Sequence, residues 1–434
     1  MMSKQILKRV VITGMGVVAP NAINVSDFYK ALKIGKSGLT YDQQLADLSF
    51  GCRVSGTPHL TVEHIAKYFT PLQLRGLKAS GLVYGVIAGK DAFKDAGLTV
   101  ADKGCALSDF GIIMGTGQSG GEKFREAIHL IDDGRVRRLG STSVIQTMTS
   151  GVSAWLSGEL GAGNMVTSNS SACCTGTEAF LMGYERIAYG KATQMLVGST
   201  SDSGPYIWGG GFDAMRILPT GYNNHPEQAS RPFSDDAAGF VPGSGAGAMV
   251  LEELDSALKR GATIYGEVLG GSLNSGGHRG SGSMTAPNGD AVQQCIQQAV
   301  EQSGVSNKDI DAINGHITAT GKDGYEVCNW VEGLQLTNQF PYLNSFKSTV
   351  GHCLAAAGSI ELVGAILQLK HQEIFPNQNI TKLHSDINAI YPSEKIPTKV
   401  VQTDIDILIK ASFGFGDVNA AVVLKRWKDE LNND

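Results

Sequence analysis

"NMVTSNSSACCTGTEAFLMGYERIAYG", residues 164–190, changes character in its middle. Its first part is β-rich and runs into Ser, Ala, Thr and Gly. From Thr175 onward apolar residues recur at helical spacing, and Gly190 supplies a C-terminal stop. A strand feeding a helix through a turn of small residues is the building unit of an α/β protein. Two cysteines, Cys173 and Cys174, occupy the turn. There the unpaired N–H groups and the positive end of the helix favour thiolate over thiol, and the small neighbours leave sulfur open to an acyl group. The same residues equally suit two inert thiols packed into a helix start.

The alternation continues outward in both directions. "RVVITGMGVV", "DFGIIMGTG", "TQMLVGST", "GAGAMVLEE", "ATIYGEVLGGSL", "DIDAINGH" and "ILIKASFGFG" read as strands, and residues 71–96, 289–303 and 352–371 as helices. That pattern predicts largely parallel sheets. A chain of 434 residues exceeds one ordinary core. "AMVLEELDSALKRGATIYGEV" closes one strand series and opens another, so two units are expected, residues 1–255 and 256–434. Each begins with a β-rich run ending in glycines ("VVITGMG", "YGEVLGG"), a hint of duplication.

Composition narrows the function classes. A net charge of −5 with no Lys/Arg block argues against a nucleic-acid binder. No apolar run is long enough to span a membrane. The N-terminal "MMSKQILKRVVITGMGVVAPNA" loosely imitates a secretory signal, but Gly14 and Gly16 break a β-branched run, which reads better as a first strand. Seven cysteines, with no C-x-x-C pair, predict free thiols in a reducing cytoplasm and neither a disulfide framework nor a metal knuckle.

Two glycine motifs point elsewhere. "GTGQSG" (Gly115–Gly120) matches the dinucleotide fingerprint, with Asp132 and Asp133 at a suitable distance, but those acids sit in what reads as a helix end and loop. "GQSGG" matches the serine-hydrolase elbow with Ser119 as nucleophile. Among 55 glycines such matches arise by chance.

Three later segments carry reactive side chains: "INGHITAT" with His316, Thr318 and Thr320; "NSFKSTVGHCLAAAGSIE" with Lys347, His352 and Glu361; and the glycine-aromatic turn "ASFGFGDVN" with Phe413 and Phe415. With "VVITGMGVVAPN", "SACCTG", "AYGKATQMLVGSTSD" and "SRPFSDDAAGFVPGSGAGAMVLEE", in this order, they resemble the β-ketoacyl-acyl carrier protein synthases, condensing enzymes of the thiolase-like superfamily. The resemblance implies a five-layered αβαβα fold of two similar halves, in a homodimer or in a heterodimer with a related chain-length-factor subunit. It places Cys173 as nucleophile, His316 and His352 as its partners, Lys347 with Glu361 as ionic support, and Phe415 on the gate loop. Phe413, Gln118, Thr318 and Thr320 would contact substrate, the threonines on a phosphopantetheine arm, and Asp323 would support the loop. The arm arrives on an acyl carrier protein, so no bound cofactor is implied.

That set fits decarboxylative condensation. A cysteine thioester conserves the reactivity of the acyl group. Neutral imidazoles and backbone N–H groups of Cys173 and Phe415 would hold the negative charge that develops on thioester oxygens. Arg135, Arg137 and Arg138, with the basic segment from Arg75 to Lys78, suggest a docking patch for an acidic carrier. The sequence departs from the family at Ile317, Asp417, Val418 and Gln118, which leaves fatty acid and specialised polyene or polyketide-type pathways equally open. Rival readings are the active half of a ketosynthase/chain-length-factor pair and a thiolase-like enzyme using coenzyme A esters.

Overall fold

The computed structural model describes residues 7–204, 208–278, 285 and 287–428. The N-terminal half supplies β1 (Val10–Val18), α1 (Ser80–Asp95), β2 (Phe110–Thr116), α2 (Gly121–Asp132), α3 (Gly151–Leu160), β3 (Val166–Thr167), α4 (Thr175–Ala188), β4 (Gln194–Ser201) and β5 (Gly245–Glu253). The C-terminal half supplies β6 (Gly266–Ser275), α5 (Gly289–Ser303), β7 (Ala312–Asn314), α6 (Asp323–Gly333), β8 (Tyr342–Asn344), α7 (Ala357–His371), β9 (Ile407–Gly414) and β10 (Val418–Lys425).

The strands lie in the order β8-β7-β9-β10-β6-β1-β5-β4-β2-β3. Read from the centre outward, each half repeats one pattern: first strand, fifth, fourth, second, third. Pairing directions repeat as well, antiparallel for the inner pairs and parallel for the outer ones. The two sets join where Val10–Ile12 of β1 pair with Gly266–Val268 of β6. The weak glycine echo between "VVITGMG" and "YGEVLGG" thus marks β1 and β6, the equivalent first strands of a duplicated unit. The expected largely parallel sheet is instead mixed, because β5 and β10 each return antiparallel between two neighbours.

Side-chain alternation along the strands sorts the core into layers. Ile112 and Met114 of β2 pack with Leu82, Val86 and Leu156 of α1 and α3. Ile113, between them, faces the middle layer with Phe180 of α4 and Leu362 of α7. In the other sheet Leu408 and Val422 face that same middle layer, whereas Ile409 and Val423 face Ile296 of α5 and Trp330 of α6. The result is the αβαβα sandwich, with α4 and α7 sealed between two sheets. Matched hydrogen bonds tie these helices down: Thr177 of α4 to Ser412 of β9, 2.9 Å between hydroxyls, and Ser359 of α7 to Ser199 of β4, 2.6 Å.

The helical segment expected over 71–96 breaks into Pro71–Leu74 and α1, because Gly76 takes a left-handed φ of +74° and ends the first turn. β1 is buried along its whole length, so the signal-like N-terminal run is the centre of the sheet.

Candidate active site

α4 and α7 begin in the same way. Each is preceded by a 3-10 turn, Ala172–Cys174 before α4 and Leu354–Ala356 before α7. Each turn opens on a non-glycine residue with positive φ, +48° at Ala172 and +51° at Leu354. Such backbone is costly outside glycine and persists where surroundings enforce it. Ser171 N–H donates to Thr175 Oγ1 at 2.8 Å, and the Thr175 hydroxyl donates to the Ala172 carbonyl at 2.7 Å, which holds the first turn. Cys173 is thereby lifted to the lip of the helix, and His352 stands two residues before the corresponding turn of α7.

The symmetry brings them together. His352 Nε2 lies 3.0 Å from Cys173 Sγ. The amide N–H of Leu354 donates to His352 Nδ1 at 3.2 Å, so the neutral ring carries its proton on Nε2, directed at sulfur. His316, from the loop after β7, stands edge-on to His352 with ring centroids 5.2 Å apart. Sγ and a ring nitrogen of each histidine lie within 4.8 Å of one another. His316 is anchored from behind, its backbone N–H donating to Glu326 Oε1 at 2.6 Å. Its Nδ1 is buried without a partner among the described residues.

Electrostatics correct one expectation. Burial pushes the Cys173 thiol up to about 11, against the field of Lys347 and the N–H groups of Phe415 and Cys173 that favour the thiolate. The resting group is a thiol, since desolvation outweighs the helix end. Burial, reinforced by Lys347 and Lys410, also holds both imidazoles well below the usual histidine range. Cys174 is the inert neighbour: its thiol sits 3.0 Å from the carbonyls of Ser412 and Val418, and burial raises it well above an ordinary thiol.

Lys347 and Glu361 form a buried ion pair, but Lys347 is not among the residues lining the cavity at Cys173. That cavity, about 650 Å³, is lined by both halves: Gln118, Asp202, Phe212 and Phe240 from the first, Thr318, Thr320, Phe413 and Phe415 from the second. Thr318 and Thr320 place their hydroxyl oxygens 3.1 Å apart, and both their amides donate to Asp323 Oδ1. Asp323 also accepts from the Phe233 amide at 3.0 Å, and burial lifts its carboxyl to about 6. Phe415 meets Phe212 edge to face, and Phe413 meets His316 likewise. Arg135, Arg137 and Arg138 lie outside this constellation, exposed around the turn that follows α2. Ser119 of the elbow-like motif is buried, its hydroxyl donating to the Gln146 carbonyl at 2.9 Å.

The family departures find places here. Ile317 is fully buried beside Val327, Trp330 and Leu343, so its side chain fills core rather than cavity. Val418 opens β10 and offers its carbonyl to Cys174. Asp417 takes φ +61° and accepts the Asn288 amide, 3.1 Å to Oδ1, fastening the glycine-aromatic turn to the segment before α5. Sequence reasoning passed over Glu326, Lys410, Asp202 and the aromatic wall. The first two carried a signal, since Glu326 falls one helical turn after Asp323 and Lys410 interrupts an apolar strand.

A duplicated αβαβα fold that opposes a cysteine to histidines across its central helices defines a thiolase-like condensing enzyme. Family models described as "Beta-ketoacyl synthase, N-terminal domain" and "Beta-ketoacyl synthase, C-terminal domain" match residues 7–257 and 265–381. The chain belongs to the β-ketoacyl synthase family. It is 32% identical over 447 residues to the chloroplastic 3-oxoacyl-[acyl-carrier-protein] synthase I of Arabidopsis thaliana, covering 97% of this chain and 87% of that one. Against 3-oxoacyl-[acyl-carrier-protein] synthase 1 of Escherichia coli K12 the identity is 31% over 429 residues, covering 98% and 100%. Among solved structures, the ishigamide ketosynthase/chain length factor superposes with a TM-score of 0.85 at 26% identity, covering 97% of this chain and 100% of that one.

Proposed function

We propose that the protein is a 3-oxoacyl-acyl carrier protein synthase that loads an acyl group onto Cys173 and condenses it with malonyl-carrier protein. The observation that carries this reading is the 3.0 Å approach of His352 Nε2 to Cys173 Sγ, with Nδ1 engaged by the Leu354 amide. In the loading step Sγ attacks the carrier thioester, and the oxyanion is held by the amides of Cys173 and Phe415, the same N–H groups that favour negative charge on sulfur. The carrier thiol leaves with the proton that Cys173 loses, so loading is proton-neutral. Malonyl-carrier protein then binds through its pantetheine arm, with the Thr318 and Thr320 hydroxyls as hydrogen-bonding partners. Its C–CO2 bond breaks, carbon dioxide departs, and the electron pair becomes an enolate whose oxygen receives N–H bonds from His316 and His352. The enolate carbon attacks the acyl carbonyl, Sγ leaves, and one proton taken up restores the thiol. No resident cofactor is needed, the phosphopantetheine being part of the carrier.

The protein acts as a dimer in this proposal, either with a second copy or with a chain-length-factor relative. Phe124, Ile128 and Ile131 form an exposed apolar stripe on α2, with Val136 and Val144 exposed beyond it, and β3 ends the sheet with Val166 exposed. An apolar stripe beside an unpaired strand edge is a surface that association would cover. The likeness to a ketosynthase/chain length factor favours neither form. A cytoplasmic site of action suits the seven free cysteines, two of them exposed. Among the described residues no helix is long and apolar enough to cross a membrane. The acyl chain meets Gln118 and Asp202 as well as aromatic rings, which supports a chain that is functionalised or unsaturated over a plain saturated one.

The test is to mix the protein with acyl- and malonyl-carrier proteins and follow both by mass spectrometry. Equal losses of the two substrates matched by new 3-oxoacyl-carrier protein are expected. Condensation that proceeds equally with coenzyme A esters alone would place the protein with the thiolases instead.

A further inference from the structure

Behind the cavity one carboxylate serves two ammonium groups. Glu361, on α7, accepts from Lys347 through Oε1 and from Lys410 through Oε2, the latter at 2.7 Å. All three residues are at most 1% exposed. Lys410 lies in the middle of β9, in register with Asn314 of β7 and two residues before Ser412. A second N–H of Lys410 donates to the Ala411 carbonyl at 2.5 Å. Leu408, two positions earlier on the same face, shows what this layer ordinarily holds. A buried lysine there is costly, and one glutamate cannot neutralise two of them. Counted formally, two lysines against one glutamate leave the cluster at +1.

We propose that Lys410 is a positioning residue for the condensation, its buried charge keeping His316 and His352 unprotonated so that the enolate attacks carbon instead of being quenched. The inference rests on the condensing-enzyme reading. An imidazolium beside the enolate would deliver a proton to its carbon. Malonyl-carrier protein would then end as acetyl-carrier protein and carbon dioxide, and the acyl group would stay on Cys173. Repulsion from a fixed cation makes the imidazolium harder to form, and in a low-dielectric interior that repulsion is weakly screened.

Other charges facing the rings do not supply this by themselves. Lys347 acts on both rings in the same sense, but it shares Glu361 with Lys410, so without Lys410 the remaining Lys347–Glu361 pair is formally neutral. Glu326, on α6, accepts the His316 amide and, when ionised, would favour the imidazolium. Asp323, at the start of the same helix, adds the same sign. Cys173 and Cys353 are neutral thiols raised by burial, Cys353 also by Glu361. While burial keeps Asp323 and Glu326 protonated, Lys410 is the group that leaves the sum at +1. Its own ammonium is drawn down by burial and held by Glu361.

The experiment is the partition of malonyl-carrier protein between 3-oxoacyl- and acetyl-carrier protein, measured from pH 5.5 to 8.5 by mass spectrometry. A partition ratio does not depend on how much enzyme is folded. Lys410→Met should raise the acetyl share about tenfold, the effect of moving the imidazole titration by roughly one unit, and in both proteins the share should shrink as pH rises towards 8.5. Lys410→Arg should restore the wild-type ratio, and Glu361→Gln, which leaves the charge at +2, should push the acetyl share below wild type at low pH. An acetyl share unchanged in Lys410→Met, or one that does not shrink with rising pH, would overturn the proposal, as would a shift of the same sign in Glu361→Gln. Should Lys410→Met not fold, Lys410→Gln takes its place in the same assay, with the same outcomes. A wild-type protein that forms no 3-oxoacyl product would instead sink the condensing-enzyme reading.

Discussion

Gly176 of α4 and Gly358 of α7 meet back to back where the two buried helices cross. A Cβ on Gly176 would stand 2.4 Å from the Ser359 amide nitrogen, and one on Gly358 would stand 2.7 Å from the Thr177 nitrogen. The Ser199 and Thr177 hydroxyls, each 2.6 Å from such a Cβ, could turn away, but the backbone nitrogens could not. The contact fixes the distance between the turn bearing Cys173 and the turn bearing His352. Gly176→Ala is expected to force the helices apart, cost on the order of 1–3 kcal/mol of stability, and lower condensation by more than tenfold even where the protein stays folded. Urea unfolding with activity on the folded fraction measures both, and full activity would show that the crossing does not set the Cys–His distance.

A thiol raised to about 11 alkylates slowly at neutral pH. Iodoacetamide should modify Cys173 at a rate that climbs about tenfold per unit of pH from 7 to 9 with no plateau. Peptide mapping against time at each pH reads the rate. A plateau near neutrality would mean that the helix end and Lys347 overcome burial and that the resting group is a thiolate.

Glu326 carries a pH signature. Burial lifts its carboxyl from 4.5 to about 7, with the Ile317 amide and the field of Lys347 opposing. Between these values the folded chain holds the proton and the unfolded chain has released it. Stability from this group is therefore complete below about 4.5 and is lost as pH rises through 7. Glu326→Gln, which keeps an acceptor for the His316 amide, removes the titration. Its stability relative to wild type should rise by ~1–3 kcal/mol between pH 5 and 8, read from denaturant midpoints at each pH. A difference that stays flat would mean the carboxyl titrates normally.

Arg137 and Arg138 make no ion pair among the described residues, and Arg135 only a loose one with Asp133 at 3.6 Å. If the patch steers an acidic carrier, replacing all three by Ala should raise KM for acyl-carrier protein several-fold, more at low salt than at high, and leave a free acyl-pantetheine unaffected. Equal effects on both substrates would remove the patch from docking.

Much of this molecule was legible where local chemistry and position coincide. The strand–turn–helix at Cys173 and the apolar run of α7 are set by spacing within single segments, and α5 falls on residues 289–303 as periodicity requires. β8 and β10 were not seen, because "YLN" is three residues long and "VNAAVVLK" lies just past a glycine turn that reads as an end. The mixed sheet was beyond reach, since the return of β5 and β10 is a tertiary choice made by the duplication. The thiol state of Cys173 was misjudged for the same reason: a helix N-terminus shows in sequence, but burial by the opposite half does not. Lys410 and Glu361 lie 49 positions apart, and only the fold makes them one group.

The central claim concerns one sulfur, and intact-mass measurement after exposure to a panel of acyl-carrier proteins tests it most directly. The wild-type protein should gain the mass of a single acyl group, mapped to the peptide containing residue 173, and Cys173→Ala should gain none. An acyl group on Cys174, or the same adduct in Cys173→Ala, would contradict the account.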